Sequence, residues 1–398
     1  MMAAITAAET GASVTLLEQS NRLGKKLRIT GKGRCNLTNA CDRDTFFENI
    51  PTNPKFLYAA YAAFAPEDTM SFFEGLGLPL KTERGRRVFP TSDKAADVVA
   101  TLEKRLRQLN VTILFARAKE VLTEDGRAVG VATNKGDYSA DAVILATGGK
   151  SYPLTGSDGS GYAIAKAVGH TILSPTPSLV PLTSPSKVCQ KMQGLSLKNV
   201  SLRLVENASE KVVFEELGEM LFTHFGLSGP LVLSASAHLK SGAKNAYTVH
   251  IDLKPALDEE TLDARVRSDF VKYQNRDFCN SLGDLLPEKM ILSMIETVGI
   301  DGRKKVNSIT REERERLVKT LKNFVIPISG TRPIDEAIIT RGGVNTKEIN
   351  PKTMESKLLR GLFFAGEIID VDAYTGGFNL QIAFSTARLA GAAAAEGL

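Results

Sequence analysis

The sequence predicts an α/β protein in which one domain is split by an inserted region of β and helical character. Three observations carry this. The chain opens with a helix, then a strand closed by an acid. A buried strand in the middle runs into Thr147-Gly148-Gly149. Near the end, a strand, a glycine pair and a long helix follow one another.

The elements follow in order. Ala3, Ala4, Ala7 and Ala8 with Ile5 form a helical run that Gly11 stops. Val14–Leu17 is a short buried strand, and Glu18 closes it. This is the second half of a βαβ dinucleotide-binding unit, whose acid usually accepts hydrogen bonds from an adenosine ribose. A long basic loop comes next, then helical stretches at Pro54–Phe64 and Pro66–Leu76. Asp93–Leu109 is amphipathic, with Ala96, Val99, Leu102 and Leu106 at helical spacing. Val111–Phe115 reads as a strand. Ala118–Leu122, Ala128–Asn134 and Asp137–Ser139 read as an antiparallel meander, and Asp141–Ala146 as a buried strand. Ser174–Pro185 holds four prolines and suits a crossover between domains. Residues 190–253 offer short β patterns, expected as a small antiparallel barrel or sandwich. Residues 257–323 are helical and highly charged. Leu362–Ala365 is a strand, and Gly376-Gly377 opens a helix through Ala395.

The composition is that of a globular protein of two or three domains: 398 residues, 43% hydrophobic and 24% charged. No apolar run approaches the ~20 residues of a membrane helix. No secretory signal appears at the N-terminus. Cys35, Cys41, Cys189 and Cys279 form no CxxC pair, so a reducing cytoplasm is expected and a structural metal is not. The net charge of +5 permits an anionic ligand without requiring nucleic acid.

The chemistry concentrates in three glycine-marked segments. In VILATGGKSYP, glycine lets backbone approach a ligand closely at a strand's carboxyl end. In GLFFAGEIIDVDAYTGGFNLQIAF, Gly366 gives close approach, and Glu367 and Asp370 are acceptors for ligand hydroxyls. Gly376 and Gly377 then start a helix whose free N–H groups and dipole stabilise negative charge, as on a reduced flavin. The third segment is GKKLRITGKGRCNLTNA. Lys25, Lys26, Arg28, Lys32 and Arg34 alternate with Gly24, Gly31 and Gly33, which suggests main chain wrapped around a pyrophosphate. Nucleic-acid backbone is the alternative, and the loop's lack of aromatic residues argues against it. Cys35 is read as a flavin neighbour or a buried structural residue.

Together, GKKLRITGKGRCNLTN, ATGGKSYPLTGSDGSGY, FTHFGLSGP, ISGTRPIDEAIITRGGV, TMESKLLRGLFFAGEIIDVD and TGGFNLQIAFSTA resemble the BaiN-type NAD(P)/FAD-dependent oxidoreductases, flavoproteins also described as aminoacetone-oxidase-like. The resemblance implies a split Rossmann-like FAD-binding domain (1–188 and 336–398), an inserted antiparallel β-barrel (189–255 and 324–335) and a small helical insert (256–323). It implies a cytoplasmic bacterial FAD enzyme. It places Glu18 on the adenosine ribose and Val121 on adenine through its backbone. Lys26, Gly31, Arg34, Cys35 and Asn36 fall on the pyrophosphate and flavin side, and Thr147, Gly148 and Gly149 pack on the cofactor. Glu367 and Asp370, with Gly366, face the ribityl chain and pyrophosphate, and Gly377, Phe378 and Asn379 the flavin ring. Members of the family begin with a strand and a G-G-G-x-x-G turn that runs into MMAA. About 15 residues of that kind do not precede Met1 here. The expectation is a start codon assigned at an internal methionine, and poor FAD binding by the chain as it stands.

The function expected is NAD(P)H-driven reduction, in which FAD passes hydride from N5 to an activated C=C of a small molecule. Two alternatives stand beside it: an amine oxidase using oxygen, and a flavin-linked RNA-binding protein. No general acid declares itself. His224 and Tyr374 are candidates, and His224, flanked by Phe222, Phe225 and Leu227, reads equally as a packed structural histidine. No metal and no membrane partner are expected.

Overall fold

The computed structural model describes residues 1–240, 242 and 244–397. The chain divides into two compact units, Met1–Ser178 with Ile334–Leu398, and Leu179–Pro333.

In the first unit, parallel pairing does the positioning. Thr15–Glu18 lies beside Thr112–Phe115, with Thr15 opposite Thr112 and Glu18 opposite Phe115. Val143–Leu145 lies beside Leu362–Phe364, with Val143 opposite Leu362 and Leu145 opposite Phe364. Parallel strands end on the same side. Thr147-Gly148-Gly149 and Gly366-Glu367 therefore leave the sheet together, at the carboxyl ends where ligands of open α/β sheets sit. Val143–Leu145 and Leu362–Phe364 are apolar because both their faces are covered, with Leu362 and Phe364 fully buried. The buried strand expected at Val14–Leu17 is corrected: Thr15–Glu18 pairs with the partly exposed Thr112–Phe115, and none of its residues is buried.

Two helices from opposite ends of the chain lie together in this core. Met2–Glu9 packs against Phe378–Glu396. Gly391 makes the close crossing possible, since a Cβ there would sit 2.5 Å from the Ala3 carbonyl. At the rim, Arg388 Nη1 meets Glu9 Oε2 at 2.7 Å. A buried polar knot fixes the start of the long helix. Gln381 Oε1 accepts from Thr38 Oγ1 at 2.6 Å and Thr69 Oγ1 at 2.8 Å, while its Nε2 donates to the Phe64 carbonyl at 3.0 Å.

The expected helices at Pro66–Gly75 and Ala95–Gln108 are present, as is the meander of Ala118–Glu124, Arg127–Thr133 and Gly136–Ser139. Several elements differ from the sequence reading. The basic loop begins with a helix, Lys25–Ile29, because Lys, Lys, Leu and Arg are good helix formers once Gly24 supplies its left-handed entry at φ 68°. Leu80–Glu83 and Arg87–Pro90 form an antiparallel hairpin, and Thr38–Asn39 pairs with its second strand. The proline-rich stretch read as a crossover begins with a strand, Ile172–Ser178, paired antiparallel with Ile339–Val344. Its prolines are tolerated because this is a two-stranded ribbon, broken by a register shift between Leu173 and Thr176.

The second unit holds one seven-stranded antiparallel sheet where the sequence suggests a barrel or sandwich. Its terminal strands, Phe324–Ile328 and Gly330–Thr331, are consecutive in the chain. The strand at Lys211–Thr223 runs well past the expected Phe214. Glu259–Lys272, Glu288–Val298 and Arg311–Lys322 are the charged helices. Asp258 and Thr310 cap the first and last through side-chain oxygens. Among the described residues, no helix is long and apolar enough to cross a membrane.

Candidate functional site: a convergence of three glycine-marked segments

The parallel pair brings two of the three segments together, and Lys26 ties in the third. Lys26 Nζ lies 2.6 Å from Glu367 Oε2 and 2.8 Å from Ser151 Oγ. Ser151 Oγ is 3.1 Å from Glu367 Oε1, which also accepts from the Thr340 N–H at 2.8 Å. Thr340 Oγ1 in turn accepts from the N–H groups of Lys150 and Ser151 at 2.7 and 3.1 Å. Gly149 sits at the centre of this knot. A Cβ there would fall 2.4 Å from Thr340 Oγ1 and 2.8 Å from Glu367 Oε1, so only glycine fits.

Glu18 joins from the other parallel pair. Its Oε1 accepts from the N–H and Oγ of Ser20 at 2.8 and 2.7 Å, and it lies beside Gly156, in the loop that follows Gly149. Gln19 Nε2 donates to the Gly156 carbonyl.

The start of the long helix is built against the end of the basic loop. Gly377 has φ 105°, and a Cβ on it would lie 2.4 Å from the Thr38 carbonyl. Asn39 Nδ2 donates to the Gly376 carbonyl at 3.0 Å. The first helical bond runs from Gln381 N to the Gly377 carbonyl. The N–H groups of the turn before it are those a helix leaves without intrahelical partners. Phe378 turns its ring inward, 6.0 Å from Phe46. The Asn379 amide clasps the preceding loop, donating to the Ala373 carbonyl at 2.7 Å and accepting from the Ala373 N–H at 3.0 Å.

Other predicted residues are placed as follows. Arg34 is engaged by Glu83 and Asp93, with its guanidinium 4.1 Å above the Phe89 ring. Cys35 is fully buried, and burial pushes its thiol up to about 12, away from the thiolate a nucleophile needs. Gly31 has φ 55° and lies against the Asn36 N–H, where a Cβ would be at 2.9 Å. Val121 is buried on an edge strand of the meander sheet. Tyr374 donates its N–H to the Asn49 carbonyl at 2.9 Å. His224 belongs to the other unit and is exposed at a turn, edge-on to Phe225 at 5.0 Å. The packed setting its neighbours suggested is therefore corrected. Phe222 and Leu227 point into the core, and the turn between their strands carries His224 outward.

Sequence reasoning missed the acids' surroundings. Asp370 and Asp372 are both buried, and burial raises both carboxyls above the ordinary aspartate range. Asn53 Nδ2 donates to Asp370 Oδ2 at 2.9 Å, and Ser178 Oγ to Asp372 Oδ2 at 2.9 Å. Tyr162 is buried too, its phenol pushed up by burial first and by Glu367 and Asp370 after that. The alternation IIDVD was the available signal for Asp372, since it sets both acids two apart in one extended segment.

A flavin dinucleotide, as the motifs imply, is tested by what this site leaves unsatisfied. The Thr147 Oγ1, Asn36 Oδ1, Tyr162 hydroxyl and Asp372 Oδ1 are buried without a hydrogen-bond partner. Thr147 Oγ1 lies against Gly161, where a Cβ would be at 1.8 Å, and Asn36 lies against Gly31. Buried polar atoms without a partner on these segments fit a ligand rich in hydroxyls, phosphates and ring nitrogens.

Comparison with known proteins adds lineage to geometry. A profile of the HI0933-like protein Rossmann domain matches residues 1–393. The chain is 34% identical over 401 residues to the 3-dehydro-bile acid delta(4,6)-reductase of Clostridium scindens, covering 100% of this chain and 96% of that one. It is 30% identical over 389 residues to the ribosomal RNA dihydrouridine synthase of Escherichia coli, covering 97% and 93%. A solved quinol-fumarate reductase with menaquinol molecules superposes with a TM-score of 0.51 at 16% identity, over 99% of this chain and 68% of that one. That last likeness speaks to fold alone.

Proposed function

Because this chain belongs to the HI0933-like Rossmann family, the flavoprotein oxidoreductases its motifs resemble, we propose that it is a FAD-dependent enzyme that uses NAD(P)H to saturate an activated C=C. The flavin, when bound, supplies the hydride chemistry. The relatives' names favour this reaction class. A 3-dehydro delta(4,6) substrate and a uridine converted to dihydrouridine both carry C=C bonds conjugated to a carbonyl.

The observation that carries the reading is the knot of Lys26, Glu367, Ser151 and Thr340 around Gly149. It joins the three motif segments at one sheet end. Here Glu367 holds Lys26 in place and offers its remaining lone pairs to ribityl hydroxyls. The first N–H groups of Phe378–Glu396 favour negative charge on the ring's pyrimidine end. Glu18 is the ribose acceptor. Tyr374 and His224 remain proton donors to test.

The deciding experiment is anaerobic. The purified holoprotein is mixed with NADH or NADPH, and bleaching of the visible flavin band is followed. Reduction, then reoxidation by an enone or a uridine-containing RNA faster than by air, supports the reading. Reoxidation fastest with oxygen would turn it into an oxidase, and no bleaching with either nicotinamide would remove the reductant.

A further inference from the structure

The tip of the hairpin of Leu80–Glu83 and Arg87–Pro90 is pinned to the start of the long helix. Asn39 is 5% exposed. Its Nδ2 donates both to the Gly376 carbonyl and to the Gly85 carbonyl, each at 3.0 Å. One buried amide thus holds the hairpin tip against the start of the glycine-capped helix. The tip is left-handed at Gly85 and Arg86, with φ 76° and 58°. That turn throws Arg84, Arg86 and Arg87 outward, all exposed.

The surroundings extend the charge. The Arg86 carbonyl ties the turn to the next segment, accepting from the Ala40 N–H at 2.8 Å. Its guanidinium meets the exposed Asp42 at 3.1 Å. Beside Asp42 in the chain is Arg43, whose guanidinium lies 5.4 Å from the Tyr58 ring centre and 5.7 Å from that of Phe47. Tyr58 is 45% exposed. Among the described residues, no carboxylate pairs with Arg43, Arg84 or Arg87. The patch therefore combines uncompensated guanidinium groups, spaced along several residues, with an exposed aromatic face. This is the surface that tracks a phosphate backbone and stacks a base. A single small anion would need one tight cluster instead.

We propose that this arginine hairpin, with Arg43 and Tyr58, docks the backbone of single-stranded RNA and delivers a base to the flavin site. The proposal rests on the flavin reading above and deepens it by naming the substrate's class. The Asn39 bridge gives it direction. A strand lying on the hairpin passes the first turn of Phe378–Glu396, the end that the flavin reading gives to the ring.

The test uses the full chain and a fluorescein-labelled oligouridylate, read by anisotropy across a salt series. The flavin spectrum of each sample is recorded alongside. Wild type is expected to bind with a steep salt dependence. Arg84→Ala/Arg87→Ala is expected to weaken binding about tenfold and to flatten the log–log salt slope by about 1.4, as loss of two phosphate contacts requires. Lys319→Ala, exposed on Arg311–Lys322, serves as a control and should change neither. Unchanged RNA binding in the double variant overturns the proposal. So does capture of phosphatidylglycerol vesicles, but not RNA, by the same arginines. Flavin absent from every sample instead overturns the cofactor reading, whatever the RNA result.

Discussion

Two arginine- and lysine-rich segments of the first unit look alike in sequence and behave oppositely in the fold. Three of the five cations in residues 24–34 meet carboxylates: Lys26 on Glu367, Arg28 toward Glu103 at 3.9 Å, Arg34 on Glu83 and Asp93, while Lys32 is exposed. Residues 84–87 carry theirs outward. Cation density alone does not mark an anion site. What matters is how many carboxylates the fold brings to each cation. The first segment is a scaffold that orders the site, and the second is surface charge held beside it.

The sharpest way to break this contrast is to free Lys26. Glu367→Ala removes three hydrogen-bonded neighbours at once, those of Lys26 Nζ, Ser151 Oγ and the Thr340 N–H. The expected loss is about 3 kcal/mol of stability, because partly buried polar groups lose their acceptor, together with most of the bound flavin. Chemical denaturation and the visible spectrum read both. If Lys26 is merely a solvated cation, Glu367→Ala will retain stability and flavin near wild-type levels.

The acids that hold Arg34 and the buried acids of the last segment respond to pH with opposite signs. Glu83 is held below the ordinary range chiefly by Arg34, and Asp93 chiefly by Lys81. Their contribution is present at neutral pH and is lost as pH falls through their folded pKa values. Asp370 and Asp372 are raised by burial. The folded state then holds more protons than the unfolded one. Their burial therefore costs stability increasingly as pH rises from the usual aspartate value of about 3.9 toward the folded values. Asp372→Asn does not titrate. Its stability relative to wild type should climb with pH in that window, by at most about 1.4 kcal/mol per pH unit, and level off above it. A difference that stays flat from mild acid to neutral would show that Asp372 is not held protonated by the fold.

Much of the site is legible in the amino-acid sequence, for physical reasons that apply to particular residues. Gly149 and Gly377 stand out because backbone without a Cβ is a local property, and both prove to be positions where a Cβ would strike at 2.4 Å. The strand Leu362–Phe364 is legible because a buried parallel strand is a continuous apolar run, whereas Thr15–Glu18 forms where a strand is expected but is only partly buried. Pairing partners are not. Nothing near Arg34 in sequence announces Glu83 or Asp93, and Asn39's bridge between Gly85 and Gly376 spans most of the chain. The hairpin is hidden in sequence because its strands are short and its tip is a run of charge. His224 misleads because a turn separates two core residues.

Arg34 and Arg84 then form a matched pair. Arg34→Ala should cost about 1 kcal/mol, since it breaks a two-carboxylate contact and a ring contact at partial exposure. Arg84→Ala should stay within about 0.5 kcal/mol, as exposed substitutions do. RNA binding should order them the other way, with Arg84→Ala weaker and Arg34→Ala near wild type. Thermal unfolding and anisotropy on the same two proteins provide both rankings. Matching rankings would mean that the inward and outward segments do not differ in kind.

The smallest effect is expected at the residue whose chemistry looks most suggestive. Cys35 follows Arg34 directly and sits at φ 62° in the wall of the site. A thiol there invites a redox or nucleophilic role. Yet it is fully buried, and burial keeps it protonated far above neutral pH, with the Thr30 hydroxyl its one hydrogen-bonding side chain. A thiol in that state neither attacks nor shuttles protons at useful rates. Cys35→Ala should therefore cost about 1 kcal/mol in packing and leave the rate of flavin reduction by NAD(P)H unchanged. In the native protein Cys35 should resist iodoacetamide until the chain unfolds. Rapid alkylation of Cys35 at neutral pH, or a reduction rate that falls with Cys35→Ala, would move it out of the scaffold and into the chemistry.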